Sequence, residues 1–176
     1  QSLRHSVRDG VAYSVMAGAG EHYLSAYALF LKATTAQISW LAAFPSLLGS
    51  FAQLFSAWLA SRLGRRKGII LFGVVLQTVM WLPIIWLPYF IPAHAVTILI
   101  VCVALYFAGG HLAAPVWNSL MGDLVPERRR GRFFARRTRL MSMMHFLALV
   151  GAGLLLYGFE IAEQVRFGFM LVFTLA

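Results

Sequence analysis

Acidic residues are scarce in this chain, with six Asp and Glu in 176 positions against fifteen Lys and Arg. Charged residues of both signs make up only 12%, where soluble domains run near ~25%. A soluble fold is excluded, because a domain of this length leaves much of its surface in water and has too few charges to cover it. Cysteine occurs once, at Cys102, which excludes an intrachain disulfide framework and a cysteine-built metal site. There is no H-E-x-x-H pair, no G-x-S-x-G and no phosphate-binding glycine loop. No metal and no cofactor is therefore expected.

What the chain has is apolar length. Hydrophobic residues reach 60% and the mean hydropathy is +0.76. A membrane-spanning helix needs ~20 mostly apolar residues, and five stretches qualify: 10–32, 37–61, 68–90, 95–122 and 137–158. A sixth begins at 167 and reaches Ala176, about half a span. The runs are continuous rather than alternating, which predicts helices and excludes a membrane barrel. The first run is too long and too polar, with Glu21 and His22, for a cleaved signal peptide. A chain that opens on Gln1 and stops half a span short reads as a piece of a longer protein.

Basic residues gather on one side of the predicted spans. Arg4, Arg8, Arg62, Arg65, Arg66, Lys67 and the seven arginines from Arg128 to Arg139 account for thirteen of the fifteen. Only Lys32 and Arg166 fall on the other side. The positive-inside rule then puts the N-terminus in the cytoplasm. The Arg128 to Arg139 run, with Phe133 and Phe134 interleaved, has the composition of an RNA-binding segment. Beside a membrane it reads instead as a topology anchor touching anionic lipid, and no nucleic-acid partner is expected.

Proline and glycine punctuate the spans. Pro83, Pro88 and Pro92 are expected to close the third and make its outer connection. Pro45 and Pro115 fall inside the second and fourth spans, where each removes a backbone donor. Gly18, Gly20, Gly109 and Gly110 permit close helix contact.

Two ionisable residues lie deep in the apolar runs. Glu21 is twelve residues after Asp9, and His111 is twelve before Asp123, which places both roughly 18 Å in. Such a group costs ~2.5–3.5 kcal/mol on insertion scales and is a functional candidate by default. Helical spacing extends each into a stripe: Ser14, Gly18, Glu21 and Ser25 on the first span, His111, Pro115, Asn118 and Gly122 on the fourth. Ser46, Ser50 and Gln53 on the second span and Gln77 on the third complete a set that can line one aqueous cavity. His22 is about 100° round from Glu21, a spacing that leaves open whether it faces the cavity or a neighbouring helix. Structural hydrogen bonding that locks helices together is the bland alternative for all of these.

The loops carry a resemblance. Ala57-Trp-Leu-Ala-Ser61-Arg62-Leu-Gly64-Arg65-Arg66-Lys67 resembles the loop signature G-x-x-x-D-R-x-G-R-R/K of the major facilitator superfamily. Arg62, Gly64, Arg65 and Arg66 match; Ala57 and Ser61 stand where the motif has Gly and an acid. Asp123-Leu-Val-Pro126-Glu-Arg-Arg-Arg130-Gly131 is similar to the acid-x-x-Pro-x-x-x-Arg-Gly that many members carry after the fourth span. Asp123 is then placed to supply the carboxylate missing at Ser61, pairing with Arg62, Arg65 or Arg66, with Arg130 an equal competitor as its partner. Gly131 is expected to turn the chain into an amphipathic stretch over 132–139.

The resemblance covers the whole chain, read as the N-terminal half of a twelve-span, bacterial-type transporter, residues 1–176 forming one transmembrane half. It implies an all-α, polytopic helical membrane fold: a six-helix half built as a 3+3 inverted repeat, with its sixth helix cut short. It implies alternating-access transport of a small solute, coupled to protons or another ion, in the bacterial inner membrane. The stretch alone is not expected to transport, since the C-terminal half of the cavity is missing. The fifth span lacks the G-x-x-x-G-P pattern of drug antiporters. Competing readings are an intramembrane enzyme using Glu21 and His111, and a non-transporting membrane sensor or scaffold.

Overall fold

A computed structural model describes residues 2–63, 66–90 and 94–176, with residues 2–4, 63, 90 and 129 described in backbone only. Among the described residues seven α-helices follow in order: α1 (Ser2–Ala19), α2 (Leu24–Phe30), α3 (Thr35–Leu63), α4 (Arg66–Phe90), α5 (Ala95–Leu124), α6 (Glu127–Ile161) and α7 (Val165–Leu175). A 3-10 turn, Glu21–Tyr23, separates α1 from α2. No strand occurs among the described residues. Helices are what apolar solvent demands, because each backbone donor and acceptor must be satisfied within its own segment. Among the described residues four helices are long and apolar enough to cross a membrane: Thr35–Arg62, Arg66–Tyr89, Ala95–Leu124 and Arg130–Ile161.

The first apolar run departs from expectation, since it is not one helix. It breaks at Gly20 (φ −102°, ψ −65°), where the regular ladder of α1 gives way to the 3-10 turn. Two glycines within three residues weaken the ladder there, and the polar pair Glu21–His22 follows at once. The third run carries on as helix through Pro83 and Pro88 instead of closing at them. Pro92 lies outside the described residues.

The helix ends have local causes. Thr34 and Gln37 form a reciprocal cap at the start of α3. The Gln37 side-chain oxygen accepts from the Thr34 N–H (2.9 Å), and the Thr34 hydroxyl accepts from the Gln37 N–H (3.3 Å). α2 ends with Lys32 left-handed at φ 63°. The Lys32 N–H donates to the Leu29 carbonyl and the Ala33 N–H to that of Ala28, the two bonds of a Schellman cap. α6 ends in the same way at Glu163 (φ 56°), with bonds to Glu160 and from Gln164 to Phe159.

The chain divides into two compact units, residues 1–27 with 125–176, and residues 28–124. In the first, α1 and α6 run parallel. A side chain at Gly10 would meet Arg137 and Met141, one at Gly18 the His145 carbonyl and Ala148, and one at Gly153 the Tyr23 hydroxyl. On α1 the buried Gly10, Ser14 and Gly18 recur every four residues, the small-residue stripe that lets membrane helices approach closely. The Tyr27 ring packs against Phe169 and Phe173 of α7, with centroids 5.1 and 4.9 Å away.

In the second unit, α5 packs along both α3 and α4. Gly73 and Gly109 face each other so closely that a Cβ on either would stand 2.5 or 2.6 Å from the other's carbonyl oxygen. Ile69, Leu112 and Val116 form a buried cluster beside them. Trp81 meets Tyr106 edge to face at 5.3 Å.

The helix content of the units has the inverted-repeat logic. One holds spans one, five and six, and the other spans four, two and three. Exchanging the first three spans with the last three maps one set onto the other. The close pair of spans one and five then answers to the close pair of spans four and two.

Candidate functional site

Glu21 stands in the 3-10 turn that interrupts the first span, half-buried, and acts electrostatically on the Tyr13 hydroxyl two turns back. The break removes the periodicity on which the first stripe depended. Ser14 is buried and donates to the Gly10 carbonyl of its own helix (2.8 Å), while Gly18 is a packing contact against α6. Ser25 is exposed on α2, beyond the break.

The two residues after Glu21 tie the break to α6. His22 Nε2 lies 2.9 Å from His145 Nε2. The Tyr23 hydroxyl donates to the Leu149 carbonyl at 2.6 Å. His145 escaped the sequence reading, although the depth rule that marks Glu21 applies to it equally: it sits eight residues after Arg137 in the fifth run.

In the other unit, the His111 ring lies against Gly49 of α3, where a Cβ would stand 2.5 Å from His111 Cδ2. Its near neighbour on α5 is the Phe107 ring. Gln77 is buried beside the bare backbone of Gly109 and Gly110, and a Cβ at Gly110 would be 3.1 Å from the Gln77 amide nitrogen. Asn118 and Gln53 are exposed, as are Ser46 and Ser50, whose hydroxyls return to carbonyls of their own helix. The polar group that links α3 to α5 is instead Ser56, fully buried, donating to the Leu112 carbonyl. Ser56 lies a turn beyond the expected stripe; its burial depends on α5, which the α3 sequence alone does not reveal.

The arginine-bearing ends need a correction. The motif residues treated as loops are mostly helical. Arg62 lies in α3 with its guanidinium 5.5 Å from the Trp58 ring centre, and Arg66 opens α4. Gly64 and Arg65 lie outside the described residues. Ser61 donates to the Trp58 carbonyl. Asp123 sits in the last turn of α5 and pairs with Arg66, Nη1 to Oδ2 at 2.6 Å. Pro126 is the cap residue of α6, at φ −54° and ψ 137°. Arg130 and Gly131 lie inside α6, so Gly131 makes no turn; a Cβ there would meet open space. The physical reason is that arginine is a good helix former and Glu127 suits the first turn, so one glycine does not stop the helix.

The arginines of α6 consequently have fixed faces. Arg128, Arg132, Arg136 and Arg139 are exposed at intervals of four, four and three, one face of the helix. Arg130 and Arg137 are half-buried seven residues apart on another. Arg137 donates to the Ser6 carbonyl at 3.3 Å, holding the start of α1. Among the described residues no group of three or more His, Cys, Asp or Glu is placed to hold a metal ion.

Spanning helices, with the first run broken by a turn carrying a carboxylate, and two units of three spans each have the make-up of a multi-pass integral membrane protein of the transporter class. The model of the Major Facilitator Superfamily matches residues 10–176, and the chain belongs to that superfamily. Comparison with curated proteins and with solved structures found no match.

Proposed function

We propose that this protein is a secondary active transporter that moves a small solute by alternating access, with Glu21 as its proton- or cation-coupling group. The observation that carries the reading is the place of Glu21: a carboxyl in a broken stretch of the first span, roughly 18 Å from the basic end. Discontinuous spans are where transporters of several folds put their ion sites, and a carboxyl at that depth is costly without a role. Ser25, Gln53, Gln77, His111 and Asn118 are the further candidates for contact with solute. His111 and Gln77 are supported best, being tucked between helices against glycine backbone.

The test is Glu21→Gln in the intact protein. pH-driven uptake is expected to be lost while solute binding or exchange persists in part. Uptake with an unchanged pH profile would remove Glu21 from the coupling role.

The arginine distribution supports a bacterial inner-membrane protein with its N-terminus and arginine-bearing ends in the cytoplasm. Lys67 and His94 lie at opposite ends of the third span and are both exposed. Cysteines placed there, in a Cys102→Ser background, should label from opposite sides. Labelling of both from one side would overturn the topology.

A further inference from the structure

His22 and His145 face each other nitrogen to nitrogen, Nε2 to Nε2 at 2.9 Å, with their ring planes 81° apart. An unprotonated ring nitrogen is an acceptor only, so two of them repel at this distance unless one carries a proton. One ring must donate and the other accept. The link therefore tolerates two neutral rings, or one neutral ring and one cation whose Nε2–H is the donor. It does not tolerate two cations, which would bring N–H against N–H and charge against charge.

What the link holds is the weak point of the first span. Glu21–Tyr23 lie outside the regular α-helical ladder, and side-chain bonds from His22 to His145 and from Tyr23 to the Leu149 carbonyl join this turn to α6. A tyrosine keeps its proton over the physiological range, whereas histidine titrates within it. Acid thus acts on the histidine tie and leaves the tyrosine tie in place.

The surroundings offer little to neutralise a second charge. On the same turn His22 is flanked by Glu21 and Tyr23. On α1, Tyr13 and Asp9 lie two and more turns towards the basic end. On α6, Arg137 and Arg139 lie about two turns below His145 and Tyr157 about three turns above. α7 brings only Arg166, in its first turn. The sole carboxylate close in sequence is Glu21.

We propose that the His22–His145 pair is a proton-binding site within the spanning region, and that protonation of both rings breaks this tie between the 21–23 turn and α6, leaving the turn held through Tyr23. The site stands on its own geometry. Its consequence for transport, a movable Glu21, rests on the coupling reading above.

The test is a titration of the intact protein, labelled with 15N histidine and held in lipid nanodiscs, reading the 15N–15N coupling through the hydrogen bond. Near neutral pH one histidine pair should show the coupling, and it should vanish reversibly on acidification. A coupling that persists in acid, or none at any pH, would overturn the proposal, and the wild-type protein decides this without a variant. His145→Gln should abolish the coupling, which assigns it to this pair; survival of the coupling in that variant would also overturn the proposal. Glu21→Gln should leave the coupling and its loss in acid in place, so failure of the coupling role for Glu21 and failure of the histidine site are told apart.

Discussion

Arg66 and Asp123 join the first turn of α4 to the last turn of α5 through a 2.6 Å contact between Nη1 and Oδ2. Both side chains are largely in the open, at 44% and 67% exposure. Exposed pairs are worth about 0–1 kcal/mol, so the pair contributes little to overall stability. Its effect should lie in how the two helix ends move together. Asp123→Arg and Arg66→Asp are each expected to slow transport with little change in melting temperature. The double reversal should recover more activity than either single change. A double variant no better than the singles would show that the contact does not matter for turnover.

The glycines divide into two kinds that predict opposite outcomes. A Cβ at Gly109 would stand 2.6 Å from the Gly73 carbonyl oxygen, whereas one at Gly122, on the same helix, would meet open space. Backbone cannot yield as a side chain can, so Gly109→Ala must push α4 and α5 apart, at a cost of about 1–3 kcal/mol. Gly122→Ala relieves the entropic penalty of glycine in a helix and should be neutral or stabilising by up to ~1 kcal/mol. Thermal unfolding of the two purified variants in detergent checks both signs at once.

Four of the spans were legible in the sequence because the bilayer imposes a length and a polarity that composition reports directly. The Arg66–Asp123 pair was legible in outline for a similar reason: an acid and a basic cluster sit at neighbouring helix ends. What escaped was local or mutual. The break at Gly20 lies inside an apolar run whose hydropathy stays high on either side, so counting apolar residues passes over it. His145 and Ser56 draw their meaning from partners more than fifty residues away, and no periodicity within one helix contains that information. The helical state of Arg130 and Gly131 was missed because charge density reads as loop, although arginine favours helix.

Lys32 and Glu163 take a left-handed backbone, φ 63° and 56°, at caps where glycine is the usual residue. For a residue with a Cβ that conformation costs roughly 1–2 kcal/mol. Glycine removes this strain but adds unfolded-state freedom worth about 0.4–1 kcal/mol. Lys32→Gly and Glu163→Gly should therefore each stabilise, by up to ~1 kcal/mol net. Lys32→Val, which is stiff at Cβ, should destabilise. A melting temperature lowered by both glycine variants would mean that the lysine and glutamate side chains contribute more than their backbones cost.

The length of α6 bears on what its arginines meet. Its 35 residues extend about 52 Å, against a hydrocarbon core of ~30 Å. Several turns must therefore leave the core. The arginine-bearing end is the one suited to do so, with Arg128, Arg132, Arg136 and Arg139 along a single exposed face. Basic residues near an anionic surface are worth ~1 kcal/mol each, and salt weakens them within a Debye length of ~8–10 Å. Replacing these four with Gln should strip most of the preference for anionic lipid, measured as enrichment of phosphatidylglycerol over phosphatidylcholine around the purified protein. The wild-type preference should fall as salt rises, and the variant should show almost no salt dependence. Replacing half-buried Arg137 alone should instead lower stability, because its guanidinium holds the Ser6 carbonyl at the start of α1. If the fourfold variant keeps its lipid preference, this arginine face is not where the lipid binds.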